Sequence, residues 1–135
     1  MRMPRLIPAI MALALLGLAL PACSKQQEEG FPSFVYANSG SLEAYRAAAF
    51  LPAEVTTKIP CYCGCRGQHK YLRDCFYNQD GSYTDHAAGC DLCGKIAVDV
   101  RAEYEKGTDV KTIRAIIDAK YSVYGEPTDT PAIVD

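Results

Sequence analysis

The sequence predicts a mainly α protein: a small helical bundle with a C-terminal antiparallel helical hairpin and a cysteine-rich, loop-rich segment. Apolar residues recur at helical spacing through the last third of the chain, and six of the seven cysteines lie between positions 61 and 93. Once an N-terminal targeting segment is removed, about 110 residues remain, which suits one domain with a modest core. Such a small core gains from cross-links or a bound metal ion.

Residues 1–22 have the features of a bacterial lipoprotein signal peptide. Arg2 and Arg5 give a basic start, residues 7–20 are almost all apolar, and Cys23 follows Leu-Pro-Ala in what looks like a lipobox. We therefore predict cleavage before Cys23 and lipid on that residue, which anchors a protein to a membrane surface without crossing it. The proline departs from the commonest lipobox pattern, so ordinary signal cleavage and an uncleaved anchor stay open as alternatives.

Residues 23–40 hold the predicted lipidated N-terminus and a tether, whose polar start lets a domain stand away from a membrane. Without Arg2 and Arg5, 12 of the 14 basic residues remain against 16 acidic ones, a net charge of −4. A nucleic-acid surface needs a basic face, so this charge argues against nucleic acid as a partner. The sequence thus predicts an extracytoplasmic, membrane-anchored protein.

The predicted folded domain spans residues 41–125 and is followed by a flexible tail at 126–135. Ser41 follows a turn and can cap a helix over residues 42–50, which places Leu42, Tyr45 and Ala49 on one face. The prolines that come next bracket an extended link before the cysteine-rich segment. Within that segment, residues 68–77 are a candidate short helix, and a turn at 78–82 leaves room for a short strand pair.

Residues 85–106 carry apolar side chains at helical spacing, and Gly107 is expected to end that helix as its C-terminal cap. A second helix is predicted to begin at Thr108 or Asp109 and to stop at Gly125, with one apolar face formed by Val110, Ile113, Ile117, Tyr121 and Tyr124. Because the link between the two helices is short, we expect them to pack antiparallel and to rest on the first helix.

Cys61, Cys63 and Cys65 recur at every second position. In an extended segment, side chains two apart point to the same face, so the sequence predicts a row of thiols. Such a row suits a soft metal ion or thiol exchange. Disulfides within so short a stretch would be strained, because a bridge requires a particular separation of its two side chains.

A second group follows, in which His86, Cys90 and Cys93 are spaced four and three apart and would form one stripe on a helix. Thiolates combined with imidazoles favour copper(I) or zinc. His69, four residues after Cys65, is a weaker candidate ligand. The predicted metal ligands are Cys61, Cys63, Cys65, Cys75, His86, Cys90 and Cys93, with Cys75 either a ligand or a structural thiol.

Two other interpretations of the cysteines stay open. Six cysteines in an exported domain commonly form three disulfides, and the sequence does not choose among the 15 connectivities. Cys90 and Cys93 also have the spacing of a redox pair at the start of a helix, where a thiol becomes reactive. No hydrolase constellation or phosphate-binding loop is visible, so the sequence favours a binding protein over an enzyme.

The segment Pro60-Cys-Tyr-Cys-Gly-Cys65 is identical to the hallmark of the PCYCGC-motif bacterial lipoproteins, and the chain resembles that family from about residue 42 to residue 124. The resemblance includes Asp74-Cys75-Phe76, the turn before Ser82, His86-Ala87, the Cys90 and Cys93 pair, and the pattern of the last helix. It implies a membrane-anchored extracytoplasmic domain whose thiols bind metal. It does not supply a reaction.

A fainter resemblance links residues 96–124 to the helical hairpin of the thiol-reductase subunits used in cytochrome c maturation. Those proteins also carry a Cys-x-x-Cys pair, but here the pair lies much closer to the helix. The resemblance implies a small helical bundle. We expect a protein that captures, buffers or hands over copper(I), or zinc as second choice, together with a metal-transfer partner; a thiol–disulfide oxidoreductase and a disulfide-braced module are the alternatives.

Overall fold

The structure is a computed structural model that describes residues 30–134. The predicted signal peptide, Cys23 and the start of the tether lie outside the described residues. The described part is mainly helical, with four α-helices and several short 3-10 turns, which confirms the predicted fold class. Among these residues, no helix combines the length and the apolar character needed to cross a membrane.

The first helix, α1, spans Ser39–Phe50 and begins three residues earlier than predicted. Its N-cap is Asn38 rather than Ser41: the Asn38 side-chain oxygen accepts a hydrogen bond from the Ser41 N–H at 2.7 Å. The face that α1 buries consists mostly of small side chains. It differs from the predicted face: Tyr45 is buried as expected, but Ala49 is exposed. Small residues allow a close helix contact, since a methyl group added at Gly94 would lie 3.1 Å from Ala44 Cβ.

The helical hairpin is formed by α3, Asp91–Glu105, and α4, Val110–Tyr121. Gly107 adopts a φ of 81° in the turn between them, a conformation that glycine adopts without strain. Asp109 caps α4 by accepting the Thr112 N–H at 3.0 Å. The end of α3 and the start of α4 agree with the sequence prediction, and α3 packs against both α1 and α4.

The core lies where these helices meet. Its fully buried members include Ile96 and Val100 of α3, Ile113 and Ile117 of α4, and Tyr45 of α1. Burial of each aliphatic side chain contributes roughly 1.5–3 kcal/mol. The helical spacing in the sequence identified these positions, except that Tyr124, expected on the same face of α4, lies past its end and is 66% exposed.

Four local predictions were wrong. The helix expected from residue 85 is divided: a 3-10 turn spans His86–Gly89, and Cys90 is extended before α3 begins. The helix expected over 68–77 is reduced to the 3-10 turn Leu72–Cys75. The link between the prolines contains a one-turn helix, α2, Ala53–Thr56. Around the 78–82 turn, the described residues form a single antiparallel bridge between Tyr77 and Tyr83 rather than a strand pair.

The expected flexible tail is packed against the domain. Thr128 and Thr130 are buried, at 3% and 8% exposure. The Thr130 hydroxyl donates to the Lys70 carbonyl at 2.6 Å, and Arg114 donates to the carbonyls of Thr130 and Pro131. Long-range hydrogen bonds therefore hold residues 128–131 across the cysteine-rich segment.

Candidate metal centre

Three cysteines form a buried triad at the base of the site: Cys61, Cys75 and Cys93, each 0% exposed. Cys93 Sγ lies 3.0 Å from Cys61 Sγ and 3.1 Å from Cys75 Sγ. Cys61 comes from the loop after α2, Cys75 from a 3-10 turn and Cys93 from the first turn of α3. Three separate elements thus place their sulfur atoms in one pocket.

The other three cysteines of the described residues, Cys63, Cys65 and Cys90, are partly exposed and are called the rim thiols. Cys63 Sγ lies 3.3 Å from Cys61 Sγ and 3.6 Å from Cys93 Sγ. Cys90 sits at the N-cap of α3 and lines a cleft of about 430 Å³ between α1 and α3. The rim thiols therefore connect the buried triad to the surface.

The thiol row is not the extended segment that its spacing suggested. Four extended residues would separate Cys61 from Cys65 by roughly 13 Å. Instead, the sulfur atoms of Cys61, Cys63 and Cys65 lie within 4.8 Å of one another. Gly64 makes this possible, because its φ of 80° bends the chain in a way that other residues rarely adopt. The three thiols do converge, but a loop rather than a strand brings them together.

Both histidines reach the cluster. The Cys65 carbonyl accepts the N–H of His69 at 3.1 Å, and this turn brings His69 Nδ1 to 3.6 Å from Cys75 Sγ. The His69 and His86 rings meet edge to face with their centroids 4.2 Å apart. His86 Nε2 is buried and has no hydrogen-bond partner in the described structure. A buried polar atom without a partner is costly, and a metal ion would satisfy it.

The thiols of the cluster differ in their pKa values. Hydrogen bonds from Cys75 and then Cys93 lower the pKa of Cys61 to about 2, and a hydrogen bond from Cys75 lowers the pKa of Cys63 to about 4. The pKa values of Cys75 and Cys93 are raised, chiefly because each donates to Cys61. Metal ligands must be deprotonated, so ion binding would displace the protons that Cys75 and Cys93 retain.

Two further pKa shifts concern the edge of the cluster. The hydrogen bond with Cys93 lowers the pKa of Cys90 to about 7. Burial, and then the neighbouring His86, lower the pKa of His69, which keeps its imidazole neutral. Neutral imidazole is the form that binds metal ions.

The sulfur spacing fits metal ligands better than bridges. Sulfur–sulfur separations of 3.0–3.6 Å are far longer than a disulfide, which is about 2.05 Å. Two thiolates on one tetrahedral ion, with metal–sulfur bonds of about 2.3 Å, lie about 3.8 Å apart. All six described cysteines are free thiols. A small outward movement of the sulfur atoms would therefore create a metal site.

The potential ligand atoms fall into four overlapping groups, and within each group all atoms lie within 4.8 Å of one another. The groups are Cys61, Cys75 and Cys93; Cys61, Cys63 and Cys65; Cys63, His86, Cys90 and Cys93; and Cys65, His69, Cys75 and His86. Every cysteine and histidine predicted as a ligand belongs to at least one group. These groups could hold a metal ion.

His86, Cys90 and Cys93 meet even though the chain departs from a helix between the first two. Cys90 has a φ of −127° and a ψ of 94°, so the 3-10 turn that carries His86 folds back beside α3. The sequence correctly grouped the three residues, but the predicted single helical stripe was wrong.

Residues outside the cysteine pattern brace the site and were missed. The Cys61 N–H donates to Thr128 Oγ1 at 2.9 Å, and the Thr128 N–H donates to the Cys61 carbonyl at 2.8 Å. The Tyr62 hydroxyl donates to Asp118 Oδ1 at 2.5 Å and ties the same loop to α4. Nothing in the local sequence signals these contacts, because their partners are more than 50 residues apart.

Comparison with known proteins identifies the family of the chain but does not identify a reaction. No curated protein matches the chain, and no solved structure does so either. A family model described as a protein of unknown function with PCYCGC motif matches residues 22–133, which include all the residues of the candidate site. The chain belongs to this PCYCGC-motif family.

Proposed function

We propose that this chain is an extracytoplasmic, membrane-anchored lipoprotein that binds a soft metal ion, copper(I) before zinc, for capture, buffering or transfer. The observation that carries the proposal is the convergence of six thiols and two imidazoles into one set of overlapping donor groups. No catalytic step is part of the proposal.

The donor atoms favour copper(I). Sulfur is present in all four groups, and two of the groups consist of sulfur alone. None of the groups found among the described residues contains a carboxylate. Soft thiolate ligands select copper(I) and zinc, whereas magnesium and calcium require oxygen. Zinc is the second choice because two groups combine cysteine and histidine in sets of four, as tetrahedral zinc requires.

The rim thiols suit uptake and transfer. A purely structural metal site is closed, whereas Cys63, Cys65 and Cys90 are partly exposed. Cys90 also borders the cleft between α1 and α3, where another protein's thiol could approach the bound ion. Transfer would then proceed by stepwise exchange of one thiolate for another, with a metal-transfer protein as the partner.

Membrane attachment is supported by the basic and apolar start of the chain and by the Ala-Cys sequence at 22 and 23. Its test is metabolic labelling of cells with an alkyne-bearing fatty acid, followed by detection of label on the protein. We expect label on the unaltered chain and none on Cys23→Ser. Label that persists in Cys23→Ser, or is absent from both, would contradict lipidation of Cys23.

Metal binding is tested by purifying the full chain anaerobically in detergent and measuring bound metals and free thiols in the same sample. We expect copper or zinc together with reduced cysteines. Absence of both metals, with all six cysteines of the site oxidised, would defeat the proposal.

One arrangement favours a second function, thiol–disulfide exchange. Cys90 is partly exposed at the N-cap of α3, and Cys93 is buried one turn along the helix. The Cys90 thiolate would attack a disulfide of another protein, and Cys93 would then displace that protein's thiol, leaving Cys90 and Cys93 oxidised and the substrate reduced. This function predicts that Cys93→Ser accumulates a mixed disulfide through Cys90. If no such adduct forms with any disulfide-containing protein, the redox function is wrong.

A further inference from the structure

The four donor groups overlap in a regular way. Any two of them have one residue in common, and no two have more than one. The six shared residues are Cys61, Cys63, Cys65, Cys75, His86 and Cys93. The two remaining donors, Cys90 and His69, each belong to one group. A site for a single ion needs only one group, so this overlap calls for another explanation.

If each group holds one metal ion, every ion shares one donor residue with each of the other three ions. Four ions related in this way lie at the corners of a tetrahedron, with one shared donor along each of its six edges. Five of the six edges are occupied by cysteine. A thiolate sulfur has lone pairs for two metal ions and can bridge them. The arrangement is therefore that of a compact cluster in which thiolates join neighbouring ions.

The shared donor on the sixth edge is His86. Its neutral imidazole nitrogen binds one ion, so His86 does not bridge two ions as a thiolate does. If His86 joins Cys65, His69 and Cys75, the neighbouring group still keeps Cys63, Cys90 and Cys93. Each of the four centres then has at least three donors. The buried and otherwise unpartnered Nε2 atom of His86 agrees with a ligand role.

Taking the proposed metal-binding function as its basis, we infer that the site holds four copper(I) ions in one thiolate-bridged cluster, with His86 bound to the ion of one of the two centres that contain it. With all six cysteines as thiolates, four singly charged copper(I) ions leave a net charge of −2. Four zinc ions would instead give +2. Zinc also needs four donors per ion, and among residues 30–134 the two groups with four donors compete for His86.

The observed spacing permits this loading. Cys93 Sγ lies 3.0–3.6 Å from three other sulfur atoms, those of Cys61, Cys75 and Cys63. Thiolates on one three-coordinate ion, with metal–sulfur bonds of about 2.3 Å, lie about 4 Å apart, so each sulfur atom would move outward by less than its own radius. The rim thiols are partly exposed and leave room for this expansion.

The stoichiometry is tested by native mass spectrometry of the full chain, reduced and kept anaerobic in detergent, during titration with copper(I) buffered by a chelator. We expect saturation at four ions, with the metal-free and four-copper forms dominating below saturation because shared thiolates make loading cooperative. Saturation at one, two or three ions would overturn the cluster but leave the proposed function standing. Absence of copper(I) binding would overturn both.

Variants test whether His86 can serve either of the two donor groups that contain it. Cys90→Ser alone, or His69→Ala alone, still leaves three donors for every centre, because His86 can move to the depleted group. Each single variant should therefore still bind four ions, at a lower affinity because one donor is lost, whereas the double variant leaves one centre with two donors and should bind its fourth ion more weakly than either single variant. Asp91→Asn, next to Cys90 but in none of the groups, is the matched control and should bind four ions with unchanged affinity. A double variant that binds its fourth ion as tightly as the single variants do, or a folded single variant that binds fewer than four, would overturn this arrangement; circular dichroism checks the fold.

Discussion

Cys61 and Thr128 are joined by a reciprocal pair of hydrogen bonds: the Cys61 N–H donates to Thr128 Oγ1 at 2.9 Å, and the Thr128 N–H donates to the Cys61 carbonyl at 2.8 Å. Both residues are buried. The first thiol of the PCYCGC motif is thus positioned by a residue 67 positions later in the chain. The C-terminal segment is part of the scaffold of the candidate metal centre.

Thr128→Val should destabilise the metal-free protein by about 1–3 kcal/mol, because it leaves the buried Cys61 N–H without an acceptor. Urea unfolding measures the change. Thr57→Val is the control, since that hydroxyl is exposed and bonds only within its own helical turn, to the Ala53 carbonyl. If Thr128→Val unfolds no more easily than Thr57→Val, the reciprocal bonds do not support the site.

His86→Leu should lower copper(I) affinity without lowering the free energy of unfolding of the metal-free protein. The substitution removes the buried Nε2 atom, which lacks a hydrogen-bond partner, and this gain offsets the loss of the side-chain hydrogen bond between His86 and Cys63. Competition with a copper(I) chelator measures affinity, and urea unfolding measures stability.

Tyr121→Phe is the control for His86→Leu, and it should lower stability without changing copper(I) affinity. It removes the 2.7 Å hydrogen bond from the Tyr121 hydroxyl to Asp99, away from the thiols, and should cost about 1 kcal/mol of stability with unchanged copper(I) affinity. Equal copper(I) affinities for His86→Leu and the unaltered protein would exclude His86 as a ligand.

Gly94→Val should destabilise the fold by about 1–3 kcal/mol, because a Cβ at Gly94 meets Ala44 Cβ at 3.1 Å and forces α1 away from α3. Gly89→Ala is the matched control, since a Cβ there has no neighbour within 4 Å. Thermal or urea unfolding compares the two variants. Equal stabilities would show that the close approach of α1 and α3 can relax at no cost.

Cys93→Ser should weaken copper(I) binding more than Cys90→Ser does. Cys93 is fully buried and lies within 3.6 Å of three other sulfur atoms, whereas Cys90 is partly exposed and belongs to one donor group. Serine keeps the shape but offers a hard oxygen that copper(I) binds poorly. Chelator competition gives the ranking, and a reversed order would place the main ligands at the rim rather than in the buried triad.

The helical hairpin could be predicted from the sequence because its signals are local. Ile96 and Val100 in α3, and Ile113 and Ile117 in α4, recur at helical spacing, and Gly107 marks the turn. The membership of the thiol and imidazole cluster could also be predicted, since these cysteines and histidines all lie between positions 61 and 93 and recur at short spacings.

The path of the chain through the cluster could not be predicted. The bend at Gly64 and the extended conformation of Cys90 depend on how the loops pack, and spacing alone suggested a strand and a continuous helix. Likewise, Thr128 is buried only because it meets Cys61 across the fold, so its local sequence resembles that of a loose tail. The overlap of four donor groups is a property of the three-dimensional arrangement alone.

The central claim is that the cysteines of this domain converge to bind a soft metal ion. X-ray absorption at the copper edge of the anaerobically copper(I)-loaded protein tests it most directly. The account predicts a first coordination shell dominated by sulfur, which Cys93→Ser changes. A first shell of nitrogen and oxygen, or a spectrum that Cys93→Ser leaves unaltered, would contradict it.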